Sequence, residues 1–408
     1  MKVNNIKQVL FYSFILAVPF DNYSIFYQFS TSDLLLISTI VYLIISLFLG
    51  KIFLKYTQFY ILLIILLFFF ILSISNSENL LLSSRMLITS LMIMLITFIT
   101  IQVANSKKIL RNIYWVIIIA GLISAITGII QWIFYEKWKI ILWQPCLYYS
   151  SLNNSIILRV TGTYFDPNYY TLYLIVPLIF SLIVVAEKKC FSYKERLFAI
   201  ISVIIILIPY ALSFSRAGWI VLLAFIFCFT FKKIKLWMKI FSLIVIINVV
   251  LFSRLITDFI YYLIYFNYES TMQRFNVSIS GLRNILEHPI TGIGLGIKTF
   301  NPYVGYKMET HNTFLQVGTY AGIFALVVYI IIICYICLIG IRNYKMTKCT
   351  RDAAIMEGFI WSFGSCVLGM LTLSGVFLKH FWLIAGIIIA SHLIIKRGQY
   401  EVIKIKDV

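Results

Sequence analysis

Arginine residues stand at several points where the chain passes between long apolar segments. Arg216 lies in the short stretch SFSRAGW, whereas Arg159 and Arg274 lie in longer polar breaks. A guanidinium group stays charged at any physiological pH and offers a planar pair of donors that matches a phosphate group. Ser215 can cap the helix that follows and hold Arg216 near its amino end. These positions predict a site for an anionic ligand, with Arg216 as its best-indicated contact.

A histidine supplies a second kind of chemistry. His311 precedes a long apolar run, with Asn312 directly after it and Glu309 two residues before it. A single histidine at the edge of an apolar segment is more often structural than catalytic. This one closes the longest polar break of the chain, which also carries arginines, and imidazole is the usual general base near neutral pH. We therefore predict that His311 is a general base.

Arg85 is a weaker candidate for the anion site. It lies inside an apolar segment, where a charge costs roughly 2.5–3.5 kcal/mol unless it is paired or solvated. Such a charge usually faces a polar cavity. A long side chain close to the surface can also extend to the lipid headgroups, so both interpretations of Arg85 stay open.

Arg274 shares an amphipathic segment with a further arginine, Arg283. The apolar residues of TMQRFNVSISGLRNILEHP recur at helical spacing; they are Met272, Phe275, Ile279, Leu282 and Leu286. This pattern predicts a helix that lies at the membrane surface. Because residues of a helix follow one another at about 100°, the two arginines fall on opposite flanks of the apolar stripe. We expect Arg274 to face the anion and Arg283 to contact lipid headgroups.

The elements that carry these residues are membrane helices. Of the 408 residues, 62% are hydrophobic and 12% are charged, which is far outside the range of a soluble domain. About twelve segments are long enough to cross a bilayer. They lie near 8–20, 34–50, 59–75, 80–102, 113–134, 168–186, 197–212, 217–231, 236–252, 312–340, 354–377 and 381–395. We predict an all-α polytopic membrane protein with a single integral-membrane domain over residues 1–408. The first segment is interpreted as a retained helix, because no A-x-A cleavage site follows it.

The distribution of charge predicts the orientation. If the amino terminus is cytoplasmic, most of the 34 Lys and Arg residues fall in cytoplasmic loops, as the positive-inside rule requires. Both termini are then cytoplasmic, and residues 253–311 form one large extracytoplasmic loop with short interfacial helices. The basic residues that the rule leaves unexplained are Arg85, Lys137, Lys139, Arg159, Arg216, Arg254, Arg274, Arg283, Lys298, Lys307 and Lys379. Arginines on the outer side indicate an anion at the outer leaflet, for which a lipid-linked diphosphate is the natural candidate. The net charge of +19 therefore does not indicate a nucleic-acid partner.

Other motifs are weak or missing. The sequence has no D-x-D pair, so a metal-dependent sugar-nucleotide site has no support. The glycines of GIGLG, residues 292–296, have no strand–turn–helix unit around them and predict irregular backbone beside a polar cavity rather than a dinucleotide site. Gly318 and Gly322 form G-x-x-x-G, which predicts a helix-packing face. We expect neither a metal nor another cofactor.

With these residues assembled, the chain resembles the O-antigen ligase and O-antigen polymerase superfamily of bacterial surface-polysaccharide proteins. The segments that carry the likeness are RVTGTYFDPNYYTLYL, SFSRAGW, HPITGIGLGIKTF and HNTFLQVGTYAGIFAL. Their order and their placement between spans also match, over about residues 159 to 340. The amino-terminal third is similar only in being helical.

The resemblance implies a glycosyltransferase of the GT-C type in the bacterial cytoplasmic membrane, with its active site on the extracytoplasmic side. Its donor would be a glycan linked to undecaprenyl diphosphate, and it would need no metal. By position, Arg216, Arg159 and Arg274 would contact the diphosphate and His311 would activate the acceptor hydroxyl. Asn168, in the segment FDPN, and Asn312 are further site candidates. The resemblance also allows a polysaccharide chain-length regulator as a partner.

Three functions remain open on the sequence alone. A capsule- or O-antigen-type polymerase would move a growing chain onto a new lipid-linked repeat unit, and this is our leading hypothesis. A ligase would move finished polymer onto a lipid A core or a protein, with the same fold and donor site. A flippase for lipid-linked oligosaccharide would also have about twelve spans, but the chain shows no repeat between its halves of the kind common in transporters.

Overall fold

The computed structural model describes residues 2–20, 24–26, 29–50, 53–142, 146–150, 155–233, 268–347 and 350–406. The described chain is a bundle of α-helices with three small antiparallel hairpins. The helices are α1 (Lys2–Ala17), α2 (Thr31–Phe48), α3 (Phe59–Ile74), α4 (Leu80–Val103), α5 (Lys107–Trp138), α6 (Pro167–Ala186), α7 (Tyr193–Leu212), α8 (Arg216–Lys233), α9 (Tyr268–Glu287), α10 (Thr313–Met346), α11 (Thr350–Met370) and α12 (Lys379–Lys406). The hairpins pair β1 (Ser24–Phe26) with β2 (Phe29–Ser30), β3 (Cys146–Ser150) with β4 (Ser155–Arg159), and β5 (Thr299–Asn301) with β6 (Tyr306–Met308).

This architecture confirms the predicted all-α polytopic membrane class. Among the described residues, 8 helices are long and apolar enough to cross a membrane. Two shorter apolar helices, Ile6–Phe20 and Phe59–Ile74, coincide with the first and third predicted spans. The predicted span at 236–252 lies outside the described residues, so the count of about twelve spans stays a prediction.

Helix α6 lies at the centre of the bundle. It begins where Asp166 caps its first turn and Pro167 occupies the first helical position, an arrangement that favours helix initiation. A Cβ added to Gly121 of α5 would lie 2.4 Å from Pro177 of α6, so the glycine permits close packing of the two helices. Tyr114 stacks on Phe180 of α6 with ring centroids 4.1 Å apart. This tight packing fixes the position of α6, whose first turn carries candidate site residues.

The two ends of the bundle carry different sets of charged residues. At the end where α7 and α11 begin, carboxylates pair with basic side chains: Asp352 lies 2.7 Å from Arg111, Glu357 lies 2.7 Å from Lys232, and Glu195 pairs with Arg351. The start of α8 lies at the opposite end, because α7 leads from Glu195 to the turn before α8. The start of α6 lies beside it, since Ser215 bonds to Asn168. The start of α10 joins them, since Ser374 bonds to both His311 and Tyr169. Arg159, Arg216 and His311 belong to that opposite end.

Helix α10 is broken in its first third. Ala321 and Gly322 leave helical geometry, and Gly322 has a φ of 82°. The carbonyl oxygens of Thr319 and Tyr320 accept hydrogen bonds from the backbone of Ile293 and Gly294, at 2.8 and 3.2 Å. The expected helix-packing G-x-x-x-G face is therefore wrong for Gly322, because this glycine forms the break instead.

The three glycines at 292, 294 and 296 all have positive φ angles, from 64° to 107°. A Cβ at Gly292 would lie 2.5 Å from the backbone of Thr319 and Ala321, and one at Gly294 would lie 2.7 Å from Ser77. The irregular backbone predicted here is thus explained by contact with the broken turn of α10 and with the start of α4. Only glycine combines this conformation with this close approach.

Helix α9 presents an apolar stripe to its surroundings. Phe275, Ile279, Leu282 and Leu286 are exposed, whereas Val277 and Ile285 on the opposite face are buried. Exposed apolar side chains in a row fit a helix that rests on lipid. Of the predicted loop 253–311, residues 253–267 lie outside the described part; the rest comprises α9, the glycine segment and the β5–β6 hairpin.

Candidate functional site

Arg159, Asn168 and Ser215 bring three segments of the chain together. Arg159 ends β4, and its Nε donates to the carbonyl oxygen of Ser213 at 2.9 Å. Its Nη2 lies 3.5 Å from Oδ1 of Asn168 and 3.3 Å from the carbonyl oxygen of Phe214. The hydroxyl of Ser215 donates to the same Asn168 oxygen at 2.8 Å. These bonds hold the guanidinium of Arg159 beside the first turns of α6 and α8.

Arg216 is the first residue of α8, directly after this cluster. The hydroxyl of Ser215 accepts a hydrogen bond from the backbone of Gly218 at 3.2 Å, which confirms the predicted helix cap. Arg216 itself is exposed. It therefore stands at the amino end of a helix, where the helix dipole adds to its positive charge.

Arg274 of α9 completes the group of positive charges. Burial, together with the positive charges of Arg216 and Arg159, lowers the pKa of Arg274, while Asp166 and Tyr169 act in the opposite direction. Such interactions place Arg159, Arg216 and Arg274 within electrostatic range of one another. A half-buried concentration of guanidinium groups is electrostatically costly until an anion joins it. The group can therefore bind a phosphate-type ligand.

Asp166 lies beside these arginines with a carboxylate. Its Oδ1 accepts hydrogen bonds from the backbone of Asn168 at 2.7 Å and of Tyr169 at 3.4 Å, and so caps α6. The negative charge of the same carboxylate acts to raise the pKa of both Arg274 and His311. Asp166 thus links the cap of the central helix to the positive group and to the histidine.

His311 is held in an unusual backbone conformation just before α10. Its φ of 51° lies in the left-handed region, which residues other than glycine seldom adopt. Its backbone N–H donates to Oγ of Ser374 at 3.1 Å. Burial and the positive charge of Arg274 lower the pKa of His311, and Asp166 opposes the shift. The imidazole is therefore neutral at physiological pH and can accept a proton.

The geometry of this end of the bundle can be compared with known proteins. Residues 198–330 match the O-antigen ligase family model. This stretch, residues 198–330, is similar to the O-antigen ligase family and is called the O-antigen ligase segment below. This match confirms the resemblance to the O-antigen ligase and polymerase superfamily. No curated protein matches the chain.

The O-antigen ligase segment contains part of the described cluster. Arg216, Arg274 and His311 lie within it, whereas Arg159 and Asn168 precede it. The structure nevertheless brings both sets to the same end of the bundle. The match covers residues 198–330 of the 408, and it does not distinguish polymerase from ligase.

Ser374, which follows the O-antigen ligase segment, is a residue that the sequence analysis missed. It lies in the connection between α11 and α12 and accepts from the backbone of His311. Its carbonyl oxygen accepts a hydrogen bond from the hydroxyl of Tyr169 at 2.9 Å. Ser374 thereby fixes His311 against α6. An isolated serine between two apolar runs carries no sequence signal for this role.

Glu309 also lies in the O-antigen ligase segment and was not assigned a role from the sequence. It is largely buried, and burial raises the pKa of its carboxyl group, against hydrogen bonds from Tyr320, Ser374 and Gln316 and the charge of Lys298. Its oxygens lie 3.1 Å from the Tyr320 hydroxyl and 3.4 Å from Gln316. Glu309, two residues before His311, is therefore joined to the first turns of α10.

Asn312, the other candidate beside His311, uses its side chain to cap and position α10. Its Oδ1 accepts from the backbone of Phe314 at 2.9 Å and of Leu315 at 3.1 Å, as the cap of α10. Its Nδ2 donates to the carbonyl oxygen of Leu371 at 3.1 Å. Both ends of the amide are thus used in orienting α10 against the α11–α12 connection.

Arg85 and Arg283 lie apart from the positive group in their described contacts. Both side chains are exposed, on α4 and α9. Within the described part of the chain, no contact joins either residue to Arg159, Arg216 or Arg274. The difference between half-buried Arg274 and exposed Arg283 agrees with their placement on opposite flanks of one helix.

Proposed function

We propose that this protein is an inverting membrane glycosyltransferase whose donor is a glycan linked to a lipid diphosphate. The observation that carries the proposal is the convergence of Arg159, Arg216 and Arg274 beside neutral His311. Arginines suit a diphosphate because each offers a charged planar fork. Membrane helices on all sides suit a donor whose lipid stays in the bilayer. Undecaprenyl diphosphate is the lipid that the family resemblance implies.

The arginines would act on the leaving group. In the reaction the bond between the anomeric carbon and the diphosphate oxygen breaks, and the electron pair leaves with the diphosphate. Positive charge fixed in advance near that oxygen stabilises the developing anion. A diphosphate is already a stabilised anion, so the reaction does not need a general acid at the leaving oxygen.

His311 would act on the acceptor. The acceptor hydroxyl oxygen forms the new bond to the anomeric carbon while its proton passes to the imidazole of His311. A base must be unprotonated to do this, and the lowered pKa of His311 keeps it so. Attack from the face opposite the leaving diphosphate inverts the anomeric centre in one step.

The acceptor distinguishes the candidate functions within the family. We propose a polymerase, whose acceptor is the non-reducing end of a second lipid-linked repeat unit. The alternative is a ligase, whose acceptor is a lipid A core or a protein. The match to the O-antigen ligase family supports this alternative. Both would use the same arginines and the same base. A flippase needs no base beside the diphosphate and has less support.

The proposed location is the bacterial cytoplasmic membrane, with the site on its extracytoplasmic side and both termini in the cytoplasm. At one end of the bundle, Arg111 of α5 pairs with Asp352, Lys232 of α8 pairs with Glu357, and Glu195 of α7 pairs with Arg351. Further lysines and arginines lie close to these residues in the sequence. Positive residues concentrate on the cytoplasmic side of membrane proteins. The Arg216 end of the bundle would then face outward.

A genetic experiment tests the function. The gene is deleted and restored as wild type or as His311→Ala, and lipid-linked glycans and surface polymer are separated on a gel. A polymerase predicts single repeat units at the surface or on lipid in the deletion strain. A ligase predicts long polymer that stays on its lipid carrier, and a flippase predicts repeat units trapped on the cytoplasmic side. Normal polymer with His311→Ala would refute the assignment of the base.

A biochemical experiment tests whether the arginines, rather than a metal ion, supply the positive charge at the diphosphate. Purified protein should transfer glycan at the same rate with and without a chelator, because guanidinium groups supply the positive charge at the diphosphate. Inhibition by the chelator that added metal reverses would contradict the metal-free mechanism.

A further inference from the structure

A cavity of about 330 Å³ adjoins the His311 site. Ser374, Asp166 and Tyr169 belong both to its wall and to the surroundings of His311. Ligand pockets in proteins typically measure about 300–1,000 Å³. The cavity is thus large enough for a small ligand group, and it opens beside the proposed base.

The wall of this cavity is rich in aromatic side chains. Tyr164, Phe165, Tyr169 and Phe377 all line it. Phe165 is 46% exposed, so a ligand in the cavity can reach its ring. The face of an aromatic ring is electron-rich and attracts the C–H groups on the apolar face of a pyranose ring. Aromatic walls with a few polar atoms therefore suit a sugar.

His380 is a further residue of the same wall. Its side chain is only 3% exposed, and it hydrogen-bonds to the backbone carbonyl oxygen of Leu172. Its Nε2 has no hydrogen-bond partner among the described residues. A neutral imidazole that donates through Nδ1 keeps Nε2 as an acceptor. A buried acceptor without a partner costs free energy until a hydroxyl donor reaches it.

Asp166, which also lines the cavity, offers a second acceptor. Both of its cap bonds end on Oδ1, so Oδ2 is available to accept from a ligand hydroxyl. This carboxylate also lies within electrostatic range of His311. A sugar that donates one hydroxyl to Asp166 would place neighbouring hydroxyls near the proposed base.

The charge of Lys379 does not make this cavity an anion site. Its ammonium group donates to Asp33 at 2.6 Å, to Ser32 at 2.9 Å and to Ser30 at 3.1 Å. These bonds use the three donors of a lysine, and Asp33 balances the charge. No arginine is among the described residues of the wall. The cavity therefore favours a neutral ligand, in contrast to the arginine group.

We infer that this cavity is the subsite for the acceptor sugar, in which Phe165 and Phe377 stack on a neutral pyranose ring while His380 and Asp166 accept its hydroxyls. The inference rests on the proposed transferase function and deepens it. The diphosphate lies at the arginines, the acceptor sugar lies in the aromatic cavity, and His311 stands between them. Phe165, Phe377 and His380 are then specificity-determining residues rather than catalytic ones.

The test separates acceptor binding from donor binding. Full-length protein in lipid nanodiscs is given a lipid-diphosphate-linked repeat unit as donor and a soluble repeat-unit oligosaccharide, without lipid or phosphate, as acceptor. The variants are Phe165→Ala, Phe377→Ala and His380→Leu, with Phe300→Ala as the matched control, because Phe300 is 53% exposed on β5, outside the cavity wall. Binding of undecaprenyl diphosphate alone is measured in parallel.

We expect Phe165→Ala and Phe377→Ala to raise the acceptor KM about 3- to 10-fold, the loss that corresponds to one aromatic contact. Undecaprenyl diphosphate should bind to them as to wild type, and Phe300→Ala should match wild type in both assays. His380→Leu should raise the acceptor KM, and His380→Gln, which keeps an acceptor atom, should raise it less. Because Phe165 is exposed, its variant folds even if His380→Leu does not.

Contrary results have distinct meanings. Wild-type acceptor KM in both phenylalanine variants would overturn the subsite while the transferase function stands. A raised donor KM with an unchanged acceptor KM would also overturn it, because the cavity would then hold the donor sugar. If the wild-type protein neither transfers glycan nor binds undecaprenyl diphosphate, the proposed function fails and the subsite fails with it.

Discussion

The hydroxyl of Ser215 donates a hydrogen bond to Oδ1 of Asn168 over 2.8 Å and so ties the start of α8 to the first turn of α6. The same oxygen lies 3.5 Å from Nη2 of Arg159. One amide oxygen of α6 therefore contacts both Ser215, before α8, and Arg159, at the end of β4. Because α6 is closely packed within the bundle, this bond anchors the arginine group to a buried helix.

Asn168→Ala tests this relationship. Without the amide oxygen, Ser215 and Arg159 lose an acceptor, and we expect the free energy of unfolding to fall by about 1 kcal/mol. The affinity for undecaprenyl diphosphate should fall as well, because the guanidinium of Arg159 is no longer held. Thermal unfolding in detergent and a lipid-diphosphate binding assay measure the two effects.

Asn112→Ala is the matched control for this prediction. Asn112 makes a side-chain hydrogen bond of 3.3 Å to Tyr12, in the half of α5 that carries Arg111 and its Asp352 partner. It should lose a similar part of the stability and none of the diphosphate affinity. Equal affinity in the two variants would show that Asn168 does not position the arginine group.

Arg216→Lys keeps the charge at the start of α8 and removes the planar fork. We expect kcat/KM to fall about 10- to 100-fold, because a charge-assisted pair of hydrogen bonds becomes a single contact. Membrane insertion should be unchanged, since Arg216 is exposed. Arg342→Lys, an exposed arginine of α10 at the opposite end, serves as control. Near-normal transfer by Arg216→Lys would count against bidentate binding of the diphosphate.

Much of this arrangement follows from local sequence patterns. Apolar length predicts the membrane class, the spacing of Phe275, Ile279 and Leu282 predicts the surface helix, and Ser215 before an apolar run predicts the helix cap. These features depend on residues a few positions apart, for which helical geometry fixes the outcome.

The remaining features depend on contacts between distant parts of the chain. Ser374 meets His311 across 63 positions, and the break at Gly322 is explained only by the glycine segment that packs against it. An apolar run around Gly322 reads as continuous helix. Periodicity does not report which distant backbone will approach a helix, so such contacts are found only in the folded structure.

The pH dependence of transfer should report on His311 and Arg274. Burial and Arg274 lower the pKa of His311, so the base stays unprotonated to more acidic pH than an ordinary histidine. Arg274→Met removes a positive neighbour; the pKa should then rise, and the acidic limb of kcat/KM should move to higher pH. The measurement is a pH profile of kcat/KM for wild type and variant.

Two comparisons make the pH result decisive. His311→Gln should abolish the acidic limb and lower kcat about 10²- to 10⁴-fold, the usual range for loss of a general base. Arg274→Met should also weaken donor binding, which lowers kcat/KM at every pH. A shift of the acidic limb to higher pH requires in addition that the titrating base lies near Arg274. An acidic limb that stays in place in Arg274→Met would mean that His311 is not the group that titrates.

Comparison of Gly292→Ala with Gly305→Ala measures the contribution of the close contact between Gly292 and the broken turn of α10. Both glycines have positive φ, 64° and 75°, so each substitution carries a backbone penalty of about 1–2 kcal/mol. A Cβ at Gly305 meets nothing within 4 Å, whereas one at Gly292 would lie 2.5 Å from the backbone of Thr319. Gly292→Ala must therefore also displace the broken turn of α10. Because α10 begins two residues after His311, this displacement can reach the proposed base. We expect a larger loss of thermal stability and of transfer rate for Gly292→Ala than for Gly305→Ala; equal losses would show that the backbone contact with α10 contributes nothing.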